Sequence, residues 1–257
     1  MLLYEGPSPL DSSKRILVIA TQSSKNVKTG PMVQVWVLLR DHDPIKASRE
    51  GLDQAICGSC PHRGTPTPER TRGEAYKRTC YVAIKNAPLQ IFRKYHRGGY
   101  GKKLTYKQMV KKFAGKSIRW GAYGDPSLIP LRIVKTINSV ASGWTGYTHL
   151  WKEKSYQNRK QIFMASTDTN EETLVANKKG WRTFRAGDHN TAPTVSEITC
   201  PASKEFETKK GFKLTCQKCQ LCKGSSLTSA KNIHINYHGR LFNLKPRKKI
   251  IMELSIV

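Results

Sequence analysis

The sequence predicts a single α/β domain over residues 1–257, built as a (β/α)8-type barrel, complete or incomplete. Short apolar runs alternate with amphipathic stretches at the spacing of βα units, which favours a parallel sheet. The length reaches the roughly 250 residues that such a barrel needs. The 38% apolar composition is enough to bury one large core. An open doubly wound sheet is the alternative, but no glycine-rich phosphate loop follows the first strand.

In the first half of the chain, apolar alternation predicts strands and 3.6-residue periodicity predicts helices. These elements are strands over Arg15–Ala20, Met32–Leu39 and Tyr81–Lys85, and helices over residues 46–55, 89–95 and 105–114. Thr105 supplies a hydroxyl cap to the last helix, which therefore begins at a defined residue.

The second half continues the alternation at closer spacing. Its elements are strands over Ile118–Asp125, Tyr147–Trp151, Gln161–Ser166, Trp181–Arg185, Ser196–Cys200 and Ile233–Tyr237, and helices over residues 127–140 and 171–179. Chemistry in a parallel barrel lies where strands end, so polar residues at strand ends become candidates for function.

The charge of the chain predicts a polyanionic partner. Lys and Arg number 45 against 18 Asp and Glu, which leaves a formal net charge of +27. DNA is the expected partner, and a basic tail over residues 243–257 adds reach. The expected phosphate contacts are Lys102, Lys103, Lys111, Lys112, Arg119, Arg247, Lys248 and Lys249.

Membrane binding is not expected, because the sequence has no apolar run near the roughly 20 residues that cross a bilayer. The first residues lack the pattern of a secretory signal, so a cytoplasmic protein is expected.

Four of the seven cysteines predict a metal-binding loop over residues 200–224. Cys200 precedes a C-x2-C-x2-C run formed by Cys216, Cys219 and Cys222. Thiolates at this spacing bind zinc or, as the alternative, a 4Fe-4S cluster. Cys200 or His234 is the expected fourth ligand.

A second group lies in the N-terminal half. Cys57 and Cys60 form a C-x2-C pair with His62 close behind, and Cys80 follows. This group predicts a second metal site or a set of buried reduced thiols.

Three carboxylates at strand ends are the predicted catalytic residues: Asp125, Asp168 and Asp188. Carboxylates in one pocket can divide the roles of nucleophile and general acid or base. Asp125 could instead be a turn residue and Asp168 a helix cap. His149 lies in a neighbouring strand as a further candidate.

Several of these motifs resemble a known group. The segments Cys57–Arg63, Cys80–Val82, Arg119–Pro126 and Cys200–Ser203, with the later cysteine run, resemble a group of tailed-phage proteins over most of residues 28–224. More distantly, over roughly residues 116–238, the chain is similar to the guanine transglycosylases, including those that put 7-deazaguanine bases into DNA. The resemblance implies zinc at Cys216, Cys219 and Cys222, a nucleophile at Asp125 or Asp188, and Asp168 as its partner.

The function that this resemblance implies is base exchange in DNA, with a free 7-deazaguanine base as the small substrate, in the cytoplasm of a bacterial host. A flipped-out base would stack on aromatic side chains, for which Tyr123, Trp144 and Tyr147 are candidates. Two alternatives stay open. One is a radical-type iron–sulfur enzyme, and the other is a non-catalytic DNA-binding protein stapled by zinc.

Overall fold

The computed structural model describes residues 1–22, 26–188, 191–226 and 231–237. The strands are β1 (Leu2–Pro7), β2 (Arg15–Thr21), β3 (Val33–Leu39), β4 (Ser117–Tyr123), β5 (Gly143–Thr145), β6 (Tyr147–Thr148), β7 (Met164–Thr167), β8 (Thr183–Gly187), β9 (Glu197–Thr199) and β10 (Asn232–Asn236). The α-helices are α1 (Pro44–Arg49), α2 (Gln54–Cys57), α3 (Ala87–His96), α4 (Tyr106–Phe113), α5 (Leu131–Asn138), α6 (Asn170–Lys178), α7 (Lys204–Lys210) and α8 (Cys216–Cys219).

The strands form two five-stranded sheets, in the orders β1-β2-β3-β4-β5 and β6-β7-β8-β10-β9. β1, β2 and β3 pair antiparallel, and every other pairing is parallel. The α/β class is therefore confirmed. A closed barrel is not, because each sheet has two unpaired edges within the described part of the chain.

Gly146 alone separates β5 from β6, so the two sheets meet at this residue. A Cβ added here would lie 2.6 Å from the ring of Phe163, and its next neighbour would be Trp120 at 3.2 Å. Only glycine allows the chain to pass from one sheet to the other at this point without moving those aromatic side chains.

One face of the first sheet is covered by helices. Ile118 and Trp120 of β4 are fully buried with Met109 and Phe113 of α4, in a core that also takes in α5. Side chains of adjacent strand residues point to opposite faces. Arg119, between Ile118 and Trp120, therefore faces the other side of the sheet.

The same alternation divides the second sheet. Tyr147 pairs with Met164, and Phe184 and Ile233 pair with each other, so these four side chains share one face, here called the cleft face. The opposite face carries a buried ion pair, in which Arg185 Nε and Nη2 donate to Glu197 at 2.9 and 2.7 Å.

Some predicted elements are wrong. Residues 81–85 form bends and turns instead of a strand, and the predicted helix over residues 46–55 is two short helices interrupted at Gly51 (φ +75°). β1, β5 and α7 were not predicted from the sequence. The predicted basic tail, with Arg247, Lys248 and Lys249, lies outside the described residues.

Candidate functional site

The Cys57–Arg63 segment is a compact loop that presents His62 to the carboxyl ends of the second sheet. Gly58 has a φ of +57°, and Pro61 begins a single 3-10 turn. Arg63 fixes the loop, because its Nε and Nη2 donate to Asp53 Oδ1 at 2.9 and 2.7 Å and Nη2 also donates to the Gly51 carbonyl. These hydrogen bonds, here called the Arg63 clamp, fix the direction in which the His62 side chain points.

His62, His149 and Asp168 form a cluster in which two imidazoles contact one carboxylate. His62 Nε2 lies 2.8 Å from Asp168 Oδ1, and His149 Nε2 lies 3.3 Å from Oδ2. Their side chains are between 13 and 18% exposed, so the cluster is reachable from solvent. Sequence reasoning placed His62 with the cysteines and gave no partner to Asp168 or His149.

Electrostatics in the cluster favour an ion pair. Burial by itself would raise the pKa of Asp168, but hydrogen bonds from His149 and His62 outweigh it and hold that pKa well below its usual range. Burial favours the neutral imidazole of His149, yet its contacts with Asp168 and Cys60 hold the pKa of His149 well above the ordinary value. These contacts favour the ionised carboxylate and the protonated His149 ring as long as no cation takes the place of that proton.

Asp125 supports this cluster from beneath. Its carboxylate is buried and accepts from the Ser127 N–H at 2.9 Å, the Thr148 hydroxyl at 3.0 Å and the His149 N–H at 2.9 Å. Burial raises its pKa in spite of these bonds. The structure thus places Asp125 as a cap and as an anchor for the His149 backbone. Its predicted role as nucleophile stays a prediction.

Asp188 ends β8, one strand over from Asp168 at the end of β7, and it is exposed. Tyr237 lies near both carboxylates. Burial raises the pKa of Tyr237 to about 12, and the charges of Asp168 and Asp188 add to this effect. The Tyr237 ring also contacts the His62 ring edge-on at 5.5 Å. Two of the three predicted aspartates therefore meet around one tyrosine that sequence reasoning missed.

Two aromatic side chains pack together on the cleft face, against the hydrophobic cluster that includes Cys200 and Cys222. The rings of Tyr147 and Phe184 lie 4.3 Å apart, and both are half-buried. Arg119 also faces this side, and its Nη2 donates to the Tyr81 hydroxyl at 2.6 Å. The predicted Tyr147 and Arg119 thus lie on the cleft face, together with Phe184 and Tyr81. Sequence alternation could not single out Phe184 and Tyr81 as functional candidates.

The four C-terminal cysteines line one small cavity of about 10 Å³, together with Thr145 at the end of β5 and Tyr147 at the start of β6. Ile233 of β10 also lines it. The pKa of the Cys200 thiol is raised to about 11, chiefly by burial and in smaller part by Cys216 and Cys219, although Lys28 opposes the shift. Four clustered thiols of this kind fit a single zinc ion. No three of these sulfurs lie within 4.8 Å of one another among the described residues, so they do not form a compact set of ligand atoms.

His234 does not line this cavity, so its prediction as a metal ligand beside the cysteines is wrong. Ile233 points to the cleft face, so its neighbour His234 points to the opposite one, where it pairs in register with Arg185. The buried Nε2 of His234 has no hydrogen-bond partner among the described residues. Cys200 is the fourth residue of the set.

Two predicted stacking residues are also misplaced. Tyr123 is buried in the main core beside Cys57 and Asp53. Trp144 pairs with Ile118 and therefore shares the helix-covered face, where its Nε1 donates to the Ile162 carbonyl at 2.9 Å. Neither side chain faces the cleft: Tyr123 follows an irregularity in the β3–β4 register that turns it into the core, and Trp144 follows the strand alternation.

The predicted phosphate-contacting lysines lie away from the cluster. Lys102 and Lys103 are exposed in the loop beside Leu2 of β1. β1 lies four strands from β5 in the first sheet, so the distance between these two strands is roughly 19 Å at 4.8 Å per strand. Lys111 and Lys112 are exposed on α4, which covers the opposite face from Arg119. Any contact they make with DNA would be separate from the cleft.

Cys57, Cys60 and Cys80 are neighbours, and their role as a metal site stays a prediction. Burial raises the pKa of Cys57 well above its ordinary value, and the nearby Asp53, Cys60 and Cys80 add to this effect. Cys60 Sγ also lies 4.0 Å from His149 Nε2. His62 does not join these thiols, since it contacts Asp168 instead.

Comparison with protein-family models, with curated proteins and with solved structures finds no match to this chain. The described helices include none with the length and apolar character needed to span a membrane.

Proposed function

We propose that this protein is a DNA-modifying base-exchange enzyme of the guanine transglycosylase type, with a free 7-deazaguanine base as its small substrate. The observation that carries the proposal is the position of Asp168 and Asp188 at neighbouring strand ends, on the face that carries the Tyr147–Phe184 pair. Nucleophilic carboxylates beside a stacking surface are what a flipped-out nucleotide needs. The net charge of +27 supports a polyanionic substrate.

Asp188 is the better nucleophile of the two residues that the resemblance leaves open, because it is exposed whereas Asp125 is buried with three hydrogen bonds. In the exchange, a carboxylate oxygen attacks C1′ of the guanosine, and the bond from C1′ to N9 breaks. The departing guanine takes up one proton. The incoming base then attacks C1′, releases the carboxylate and gives up one proton, so the charges and protons balance.

Asp168 is the partner carboxylate in this proposal, since it lies at the adjacent strand end and is oriented by His62 and His149. Tyr147 and Phe184 would hold the flipped base. Zinc at Cys200, Cys216, Cys219 and Cys222 would be structural, fixing the cysteine loop beside Tyr147. The proposal also includes an incomplete barrel. The two sheets would be its two parts, since only Gly146 separates the last strand of one from the first strand of the other.

The test is incorporation of labelled free guanine into DNA, with Asp188→Asn, Asp168→Asn and, as a matched control at an exposed site, Asp41→Asn. The wild type and the control should incorporate label and form a covalent DNA adduct that survives denaturation. Asp188→Asn should lose the adduct and reduce incorporation on the order of 10³-fold or more. No incorporation by the wild type, or full activity in Asp188→Asn, would contradict the proposal.

The neighbouring thiols of Cys57, Cys60 and Cys80 favour a second candidate, the iron–sulfur enzyme of radical type. It predicts bound iron and visible absorption after anaerobic purification. The cavity lined by four cysteines also suits the third candidate, a non-catalytic DNA-binding protein. In that case the aspartate variants should bind DNA normally, and neither they nor the wild type should exchange a base.

A further inference from the structure

The His62–His149–Asp168 cluster is not a proton relay. The difference lies in which imidazole nitrogens make the contacts. A relay from a nucleophile through histidine to aspartate uses both ring nitrogens of that histidine. Here the same atom, His149 Nε2, lies 4.0 Å from Cys60 Sγ and 3.3 Å from Asp168 Oδ2. Cys60, His149 and Asp168 therefore do not form a catalytic triad.

The nitrogens converge instead on one point. One ligand atom each from His62, His149 and Asp168 lies within 4.8 Å of the other two. Ligands bound at 2.0–2.1 Å to one tetrahedral ion are about 3.4 Å apart. His62 Nε2 lies 2.8 Å from Asp168 Oδ1 and His149 Nε2 lies 3.3 Å from Oδ2, so each imidazole contacts a different carboxylate oxygen, and a shared ion would bind one of the two. The three residues come from separate parts of the chain, namely the clamped loop, the end of β6 and the end of β7.

The surroundings of the three residues also suit metal ligands. A metal-binding histidine commonly uses its second ring nitrogen for a fixed hydrogen bond. His62 Nδ1 lies 2.8 Å from the Thr79 hydroxyl. Asp125 anchors the backbone of His149 at 2.9 Å. The partial exposure of all three side chains leaves room for further ligands from solvent or substrate, as in metal sites that keep an open position.

We propose that His62 Nε2, His149 Nε2 and an Asp168 oxygen bind one divalent transition-metal ion. Two imidazoles and one carboxylate with open positions suit zinc, iron(II) or manganese(II), whereas the thiolates of the C-terminal cavity select zinc. The inference does not rest on base exchange, since it depends only on these three side chains and their supports, but it gives Asp168 a ligand role besides the partner role proposed above.

The test uses cobalt(II) as the probe and the full chain. Metal-free protein first receives enough zinc to fill the thiolate cavity, and cobalt is then titrated while the visible d–d bands are followed. The wild type should bind about one cobalt ion with no sulfur-to-metal charge-transfer band. His149→Gln and Asp168→Asn should lose this binding, and Thr79→Val should weaken it about 10-fold. His96→Gln, an exposed histidine elsewhere, should bind cobalt like the wild type.

Far-ultraviolet circular dichroism of each variant checks that it is folded. The proposal is overturned if the wild type takes up no cobalt beyond a thiolate-type site, or if folded His149→Gln and Asp168→Asn titrate like the wild type. Metal binding is measured without DNA. Failure here would leave base exchange standing, and failure of base exchange would leave metal binding standing.

Discussion

Replacing Asp125 by alanine tests whether this residue is structural or is itself the nucleophile. The substitution removes the acceptor of the Ser127 and His149 N–H groups in a buried site. The Thr148 hydroxyl also loses its acceptor, although it still accepts from Ser127 Oγ at 2.9 Å. Two unpaired buried N–H groups cost about 1–2 kcal/mol each. Relief of the buried charge offsets part of this, so we expect a loss of about 2–3 kcal/mol.

Urea unfolding measures this loss. With an m-value of about 2–3 kcal/mol per molar, the midpoint should fall by about 1 M without a change in slope. Asp11→Ala is the matched control, because Asp11 accepts from the Ser13 N–H at 3.0 Å but is exposed. We expect no resolvable change in the urea midpoint there. If Asp125→Ala lost less than about 1 kcal/mol and still abolished base exchange, the structural role would be refuted and the nucleophile role supported.

Three further outcomes are expected. The pKa of Glu197 is lowered, since the Arg185 pair and the Thr194 N–H outweigh the effect of burial, so its stabilisation is present above the ordinary value of 4.5 and is lost as pH falls below it. Glu197→Gln should lower the free energy of unfolding by about 3 kcal/mol at neutral pH and flatten its acid dependence; urea midpoints on either side of pH 4.5 that matched the wild type would refute this. Cys219→Ser should lose about one zinc ion per chain by elemental analysis, and an unchanged zinc content would exclude the C-terminal cavity as the site. Tyr147→Ala should weaken binding of single-stranded DNA about 10-fold, measured by fluorescence anisotropy; an equal loss in Tyr106→Ala, an exposed aromatic on α4, would show that the cleft face is not the binding surface.

Much of the secondary structure could be predicted, because periodicity and caps are local. β2, β3 and α4 lie close to their predicted positions, and Thr105 forms the expected cap with its oxygen accepting from the Gln108 N–H. Residues 81–85 show the limit of this reasoning. Their apolar alternation is that of a strand, but Arg78 donates to the carbonyls of Cys80 and Val82, so backbone groups there are satisfied without a ladder.

The candidate site was only partly predictable. Strand-end reasoning found Asp168 and Asp188, since the carboxyl ends of parallel strands meet at one edge. It could not pair Asp168 with His62, because the two residues are 106 positions apart in the chain and are brought together by the Arg63 clamp. Nor could it separate Tyr147 from Tyr123 and Trp144, since all three are aromatic residues in or beside strands.

By itself, the sequence determined the α/β class, the excess of positive charge and the clustering of the C-terminal cysteines, because composition, periodicity and short spacings are properties of neighbouring residues. The tertiary structure decided the sheet order, the break at Gly146 and the face to which each strand residue points. It therefore decided that Cys200 and not His234 joins the cysteine cavity, and that His62, His149 and Asp168 meet. Those outcomes depend on register and on long-range contacts, which no local pattern encodes.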